Sequence, residues 1–590
     1  MTEVSLSPVA AERRAQRTTP AGIQTARTLF WRRTFYAAAC AVTYAGLAWA
    51  IVRALGLLNG PPQASKAGLL VLALMAMPWY VIGLWNALIG FWLLRRKNGG
   101  IDAAVPFVRA ANGWSPVRTR TAIVMTVRNE DPRRAFDRLG AVVGSLEATA
   151  DGKQFDYFVL SDTSDPKIAE LEETLCRAWP QSLRSGARLT YRRRDANIGF
   201  KAGNIQDFIR RWGKHYDFML PLDADSTMSA EAVLTLVRIM QAYPRIGILQ
   251  SLAVGAPARS PFARLFQFGM RHGMRSYTMG SAWWTADCGP YWGHNALVRV
   301  EPFGAHCKLA PLPGKPPLGG AVLSHDQLEA ALMRRAGYEV RVVPIEGGSY
   351  EDNPPGLLEF LKRDIRWCQG NLQYVRCLAW RGLKTVSRVQ IALAILMYLG
   401  SAAATAGIGA ALALGASGAM TGGISMTAPA ALALLFLLSN APKLLGVAET
   451  ILRKRGASEY GGIPRLLSGV GAELIFSWFL SAIVTVRSTV FMLGLAAGTS
   501  VTWGGQVRDA HGVSWKEAAA ALWPETVGGM AFLSVLAGTP AMAFGVPLLA
   551  PLCLSIPFAV MTSSPRIGTW LKRAKLCGIP EEFTVPPDRG

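Results

Sequence analysis

Long apolar runs lie towards both ends of this 590-residue chain, and none lies between about residues 115 and 383. That distribution limits the fold more than any single motif. In lipid, only helices and closed barrels satisfy their own backbone, and a spanning helix needs about 20 apolar residues. Residues 35–55 and 67–94 meet that requirement. The second run would be roughly 42 Å long as a helix, so it must tilt, or bend at Pro78. Beyond Arg388 come further runs at 389–414, 428–445, 530–543 and 546–561. The stretch 469–497 is also apolar but contains Arg487, and an arginine at mid-bilayer costs at least about 2.5 kcal/mol. An interfacial segment at about 469–503 avoids that cost. Six spans are expected, or eight if this stretch folds as a hairpin.

Charge then orients the chain. Lys and Arg collect on the cytoplasmic side of apolar spans, and here they stand at Arg95 and Arg96, at Arg453 to Arg455, and at Arg566 to Lys575. The expected order is a mobile basic cytoplasmic tail (1–33), two transmembrane helices (34–95), a cytoplasmic insert (115–385), C-terminal transmembrane helices (389–563) and a cytoplasmic tail (564–590). With 51% hydrophobic and 17% charged residues the composition fits membrane embedding, and membrane lipid is an expected partner. The net charge of +23 does not come with a basic helix interleaved with aromatics, so nucleic acid is not expected. The eight cysteines form no C-x-x-C pair, which argues for reduced thiols.

Within the insert, short apolar runs alternate with helical stretches: 121–127, 155–160, 188–191, 218–222, 246–250 and 339–343. This pattern predicts an α/β domain with a mostly parallel sheet, whose ligands bind beyond the carboxyl ends of the strands. Asn129, Glu130, Asp162, Asp223 and Asp225 all fall at those ends. The run from Phe218 stops at Asp223 and Asp225, separated by one small residue, and alternation would put both carboxylates on one side. Two anions that close repel unless a cation lies between them. Mg²⁺ or Mn²⁺, with phosphate oxygens completing its shell, is the natural choice. A capped turn before the helix at Ser229 explains the same residues without a ligand.

Four motifs in order settle the weighting: Asp162, then Asp223 with Asp225, then Ser324 to Asp326, then Arg363 to Trp367. Together they resemble the family 2 inverting glycosyltransferases, which include the membrane-embedded cellulose and hyaluronan synthases. Residues Tyr291 to Asn295, Trp367 to Asn371 and Ile579 to Phe583 are similar to the proteobacterial branch that builds the β-1,2-linked backbone of osmoregulated periplasmic glucans from UDP-glucose. The resemblance implies a cytoplasmic GT-A (Rossmann-like) domain inserted in an α-helical polytopic domain of the bacterial inner membrane, with both termini cytoplasmic. It implies Asp225 and Asp223 as metal ligands for Mg²⁺ (or Mn²⁺). Asp162, Lys201, Asp223, Asp225 and Arg366 become donor-binding residues, and Asp326 the catalytic base. Trp367 becomes the acceptor-binding residue, its flat face packing on the growing glucan. Acyl carrier protein and periplasmic glucan-processing proteins are further implied partners.

The chain departs from the family pattern at Ser324 and His325, where Thr and Glu are usual, and at Arg363, where Gln is usual. His325 is read as structural and not catalytic. Trp283, Trp284, Tyr291 and Trp292 fit an acceptor-side wall or ordinary packing equally well. Three activities stay open: a processive UDP-glucose transferase coupled to export, another family 2 polysaccharide synthase or lipid-phosphate sugar transferase, and a nucleotide-sensing transporter.

Overall fold

The computed structural model describes residues 23–58, 63–96, 100–111, 115–179, 189–418, 424–501 and 511–584. At the centre of the insert is a seven-stranded sheet. Its strands are β1 (Thr121–Val127), β2 (Phe155–Ser161), β3 (Leu189–Arg193), β4 (Phe218–Asp223), β6 (Ile246–Ser251), β8 (Ala296–Arg299) and β9 (Glu339–Val343), in the order β3-β2-β1-β4-β8-β6-β9. Neighbours run parallel except at β8, which is antiparallel to both β4 and β6. β1 and β4 are buried along almost their whole length, as continuous Val, Ile, Leu and Met runs require in a sheet covered on both faces. A second sheet of three short strands, β5 (Thr227–Met228), β10 (Ser349–Glu351) and β7 (Val254–Gly255), is ordered β5-β10-β7 and stands beside the β4 end. This mixed sheet flanked by helices is a GT-A-like α/β domain.

Register makes the site. Val127 pairs with Ser161, and Thr126 with Asp223, so β1, β2 and β4 end level. Arg128, Asp162 and Asp223 therefore emerge at one edge. The predicted alternation does not run through Asp225, because the strand ends at Asp223 and the chain turns, the Ser226 amide donating to the Asp223 carbonyl at 2.9 Å.

Among the described residues six helices are long and apolar enough to cross a membrane, or seven if the bent pair Met542–Cys553 and Ser555–Ser563 counts as one crossing. Among them are Ala26–Ala54, Ala64–Arg95 (with Pro78 inside it) and Thr385–Ala416. Ile463–Ala496 is one unbroken 34-residue helix and not a hairpin. It follows the insert along its length. Phe476 meets Phe262 with ring centroids 5.1 Å apart, Ser488 donates to Asp364 at 2.8 Å, and Val501 just beyond it donates to Gln369 at 2.8 Å. Arg487 is paired with Glu525 at 2.6 Å, so its charge is matched within the protein.

The expected extent of the basic tail is corrected. The basic tail does not stay mobile to residue 33: helix starts at Ala26, Arg32 donates to the Ala103 carbonyl at 2.8 Å, and Arg33 donates to the Thr285 carbonyl at 2.8 Å and pairs with Asp287. Those guanidiniums satisfy carbonyls at the end of helix Pro261–Thr285, which holds the segment. Residues 1–22 and most of the polar loop at 504–515 lie outside the described residues. All eight cysteines are free thiols.

Candidate active site

A cleft of about 650 Å³ opens where β1, β2 and β4 end. Asp162, Lys201, Asp223, Asp225, Asp326, Arg366 and Trp367, chosen from separate stretches of sequence, all line it. Asp162 follows β2 and is 7% exposed. Its two oxygens accept from Arg194 Nε and Nη2, both at 2.7 Å, a planar fork that fixes the carboxylate. Lys201, in the first turn of helix Phe200–Trp212, pairs with Asp223. The chain thus supplies its own cation against the repulsion expected between Asp223 and Asp225. Asp225 is 6% exposed, and its carbonyl accepts from Arg138 at 2.8 Å.

Could this end hold a divalent ion? Two carboxylates beside a strand end offer hard oxygen donors, and an ion would need more oxygens from its ligand. Among the described residues no cluster of three or more His, Cys, Asp or Glu could hold a metal by itself. The donor set therefore fits an ion that arrives with a phosphate.

Asp326 is the first residue of helix Asp326–Arg335. The cap position falls to His325, which makes no side-chain cap, and among the described residues the Asp326 carboxylate takes part in no hydrogen bond or ion pair. The capping role that sequence allowed it is not taken up. Behind it, His325 Nδ1 donates to Glu329 at 2.7 Å. Burial works against charge on both residues. On His325 the Glu329 carboxylate outweighs it and raises the imidazole above its ordinary range, while Glu329 is itself raised by burial. The pair therefore holds on to a proton. Burial first, then Glu329, Asp326 and Asp223, push the Tyr291 hydroxyl far up, so it stays a neutral phenol on the cleft wall.

Helix Leu357–Gln373 supplies the other wall. Leu357, Leu358 and Leu361 are buried, as are Cys368 and Gln369, whereas Arg363, Arg366 and Trp367 face the cleft. Trp367 is 48% exposed, so the alternative of a tryptophan packed in the core is not what forms. One face of its ring is already covered, with the Arg363 guanidinium 4.6 Å from its centroid. Burial, then Arg363, lowers the Arg366 guanidinium. Tyr291 and Trp292 line the cleft, but Trp283 and Trp284 do not. Trp284 stacks on Tyr36 at 4.3 Å and donates to Asn86 at 2.9 Å, and Trp283 carries Arg32. Both fasten the first helices to the insert.

The sequence comparisons agree with this geometry. Residues 122–306 match the model described as glycosyl transferase family 2, and residues 218–441 the model described as glycosyl transferase family group 2. Both matches lie mainly on the insert and together take in its sheet and cleft. The whole chain is 37% identical over 552 residues to glucans biosynthesis glucosyltransferase H of Pseudomonas entomophila, and 36% identical over 556 residues to the protein of that name in Pseudomonas aeruginosa. Both alignments cover 89% of this chain, which spans 63% of the length of those relatives. Among solved structures, the mannosyltransferase PcManGT from Pyrobaculum calidifontis, in complex with GDP-Man and Mn²⁺, aligns at TM-score 0.39 and 15% identity, over 62% of this chain and 98% of that one. A score that low adds nothing to the topology already described.

Sequence reasoning about this domain missed Arg194, Arg138 and the role of His294. Arg194 could have been found from register, because Ser161 pairs with Arg193 and so sets Arg194 beside Asp162. His294 lies in a quoted motif but had no role. It reaches Ser226 Oγ at 3.3 Å and Glu351 at 3.3 Å, and Ser226 Oγ accepts the Asp223 amide at 3.3 Å. No local pattern in the sequence announces that relay.

Proposed function

We propose that the chain is an inverting, UDP-glucose-dependent β-glucosyltransferase of the bacterial inner membrane. It would extend the β-1,2-linked backbone of osmoregulated periplasmic glucans and couple extension to export. One observation carries the reading: seven residues assigned from four motifs and a lysine converge on one cleft at the strand ends. Asp162 and Lys201 would hold the nucleotide, and Asp223 and Asp225 would hold Mg²⁺ or Mn²⁺. When bound, that ion supplies charge stabilisation at the departing diphosphate. Arg366 adds a fixed positive charge from the opposite wall. Asp326 takes the proton of an acceptor hydroxyl as its oxygen bonds to the anomeric carbon. The bond from that carbon to the phosphate oxygen breaks, its electron pair leaves with UDP, and the α-linkage becomes β. Trp367 offers its uncovered face to the acceptor sugar.

The membrane side supports the same reading. Phe266, Met270, Met274, Phe360 and Met397 give the same cleft an apolar lining. Ile463–Ala496 is best placed in the interface beneath the domain, since both halves of it touch the insert. Six crossings then remain, and both chain ends return to the side that carries the domain, the cytoplasmic side by the basic flanks. A lipid-phosphate acceptor would leave Trp367 without a sugar to stack on, and a nucleotide-sensing transporter would need no base.

The test uses inverted membrane vesicles with radiolabelled UDP-glucose and Mg²⁺, comparing wild type with Asp326→Asn. Polymer from wild type alone, cleaved by a β-1,2-specific glucanase, is the expected result. Label confined to a lipid extract would shift the reading to a lipid-phosphate transferase. Equal low label in both proteins, with UDP-glucose bound, would sink the catalytic assignment.

A further inference from the structure

The segment Ile579 to Phe583 stood out in the sequence, yet it lines no part of the cleft. It is held unusually firmly for a stretch that follows the last apolar helices. Arg264, which is fully buried, forks onto Glu582 at 2.5 and 2.6 Å and also donates to the Leu576 carbonyl at 2.8 Å. Arg271, 2% exposed, donates to Glu581 at 2.8 Å. A buried guanidinium is costly unless paired; Arg264 relies on Glu582, and Arg271 shares its charge between Glu581 and, at 3.7 Å, Glu346. Phe583 closes the contact between two glycines: a Cβ at Gly461 or Gly578 would stand 2.7 or 2.6 Å from its ring.

The clamp does not stop at the helix. The Tyr350 hydroxyl donates to the same Glu581 oxygen at 3.0 Å. Tyr350 belongs to β10, which pairs antiparallel with β5, the strand that begins two residues beyond Asp225. The next two residues, Glu351 at the end of β10 and Asp352 just beyond it, connect to the two aspartates. Glu351 holds His294, which contacts Ser226, whose hydroxyl takes the Asp223 amide. Asp352 accepts from Arg134 at 2.5 Å and pairs with Arg138, which donates to the Asp225 carbonyl. Two chains of polar contacts from the end of one short strand thus lead to the turn, and Glu581 anchors that strand.

We infer that Glu581 is a positioning residue for the Asp223–Asp225 turn. Through β10 it sets the two carboxylates at the spacing a divalent ion with a nucleoside diphosphate requires. The inference rests on the donor-site reading of those aspartates. It adds that the segment after the last apolar helices governs ion and nucleotide affinity from outside the cleft. Partners that orient a metal site from behind typically change affinity about 10- to 100-fold when removed.

The experiment measures Mn²⁺ binding by electron paramagnetic resonance on the full-length detergent-solubilised protein, with UDP present, and needs no turnover. Glu581→Gln is expected to weaken Mn²⁺–UDP binding about 10-fold, and Glu581→Asp to recover part of it. Tyr350→Phe, which removes one hydrogen bond and leaves no buried charge, should weaken binding by a smaller factor in the same direction. Wild-type affinity in folded Glu581→Gln overturns the inference. If Glu581→Gln does not fold, wild-type affinity in Tyr350→Phe overturns it instead. The donor-site reading fails differently: wild type and Asp225→Asn would then bind Mn²⁺–UDP equally.

Discussion

The two ends of the cleft are built on opposite plans. At the end proposed to bind the donor every carboxylate has been given a fixed companion: Asp162 its Arg194 fork, Asp223 its Lys201, Asp225 a backbone tie to Arg138. At the end proposed for the acceptor Asp326 has no such tie among the described residues and Trp367 is half exposed, and methionine and phenylalanine side chains also line the cleft. A nucleotide and its ion return in one geometry at every cycle, so fixed hydrogen-bonding groups lower the cost of binding them. An acceptor chain must slide and leave, and soft apolar walls allow it to. The difference teaches that preorganisation is spent where the ligand does not change.

Asp326→Asn tests this most severely. Loss of a general base costs about 10² to 10⁴ in turnover, and because Asp326 holds nothing else in place, UDP affinity should stay at the wild-type value. Turnover and UDP affinity falling together would mean that Asp326 belongs to the donor end. Asp225→Asn should show the reverse pattern. UDP binding would lose its dependence on Mg²⁺ or Mn²⁺, and chelation of wild type by EDTA should reproduce the variant. A metal-dependent signal surviving in Asp225→Asn would break the comparison from the other side.

The comparison also sorts what could be read in the sequence. The parallel strands were legible because each is an apolar run that stops at a chemistry-bearing residue. β8 was not, since four residues returning antiparallel give no period to recognise, and neither were β5, β7 and β10, of two or three residues each. Residues that would touch ligand could be picked from motifs. Their companions could not, because Arg194, Arg138 and Glu351 acquire meaning only from register and packing. Trp283 and Trp284 looked like candidates for the acceptor wall until their partners on the first two helices were placed, Arg32 for Trp283 and Tyr36 with Asn86 for Trp284.

A smaller effect is expected at Trp367. Its ring has one face on Arg363, so the acceptor can use only the other. A single stacked face is worth about 0.5–1.5 kcal/mol, which is about two- to twelvefold. Trp367→Ala should therefore raise the acceptor concentration needed for half-maximal rate by a factor in that range, with little change for UDP-glucose, and Trp367→Phe should recover most of the loss. A change larger than a hundredfold, or one felt equally by the donor, would show that Trp367 supports Arg366 and not the acceptor.

The smallest effect comes from behind Asp326. If the acceptor end lacks direct ties, something must still hold helix Asp326–Arg335 at its first turn, and the buried His325–Glu329 pair is placed to do so. Its environment also contains Asp326, which favours a charged imidazole, and Lys201, which opposes it. Because the folded protein raises His325 above its ordinary 6.5, the stabilisation is complete below pH 6.5 and is lost as pH rises through the raised value. Glu329, raised by burial, acts in the same direction, since its charged form is the one the folded state disfavours. The thermal midpoint of the detergent-solubilised protein should fall by a few degrees, on the order of 2–4 °C for each kcal/mol lost, as pH rises from 6.5 towards 9. Glu329→Gln should flatten that slope, because removing the carboxylate removes the reason for the imidazole to hold its proton. An equally steep slope in the variant would place the titrating group elsewhere and leave the acceptor end held by packing alone.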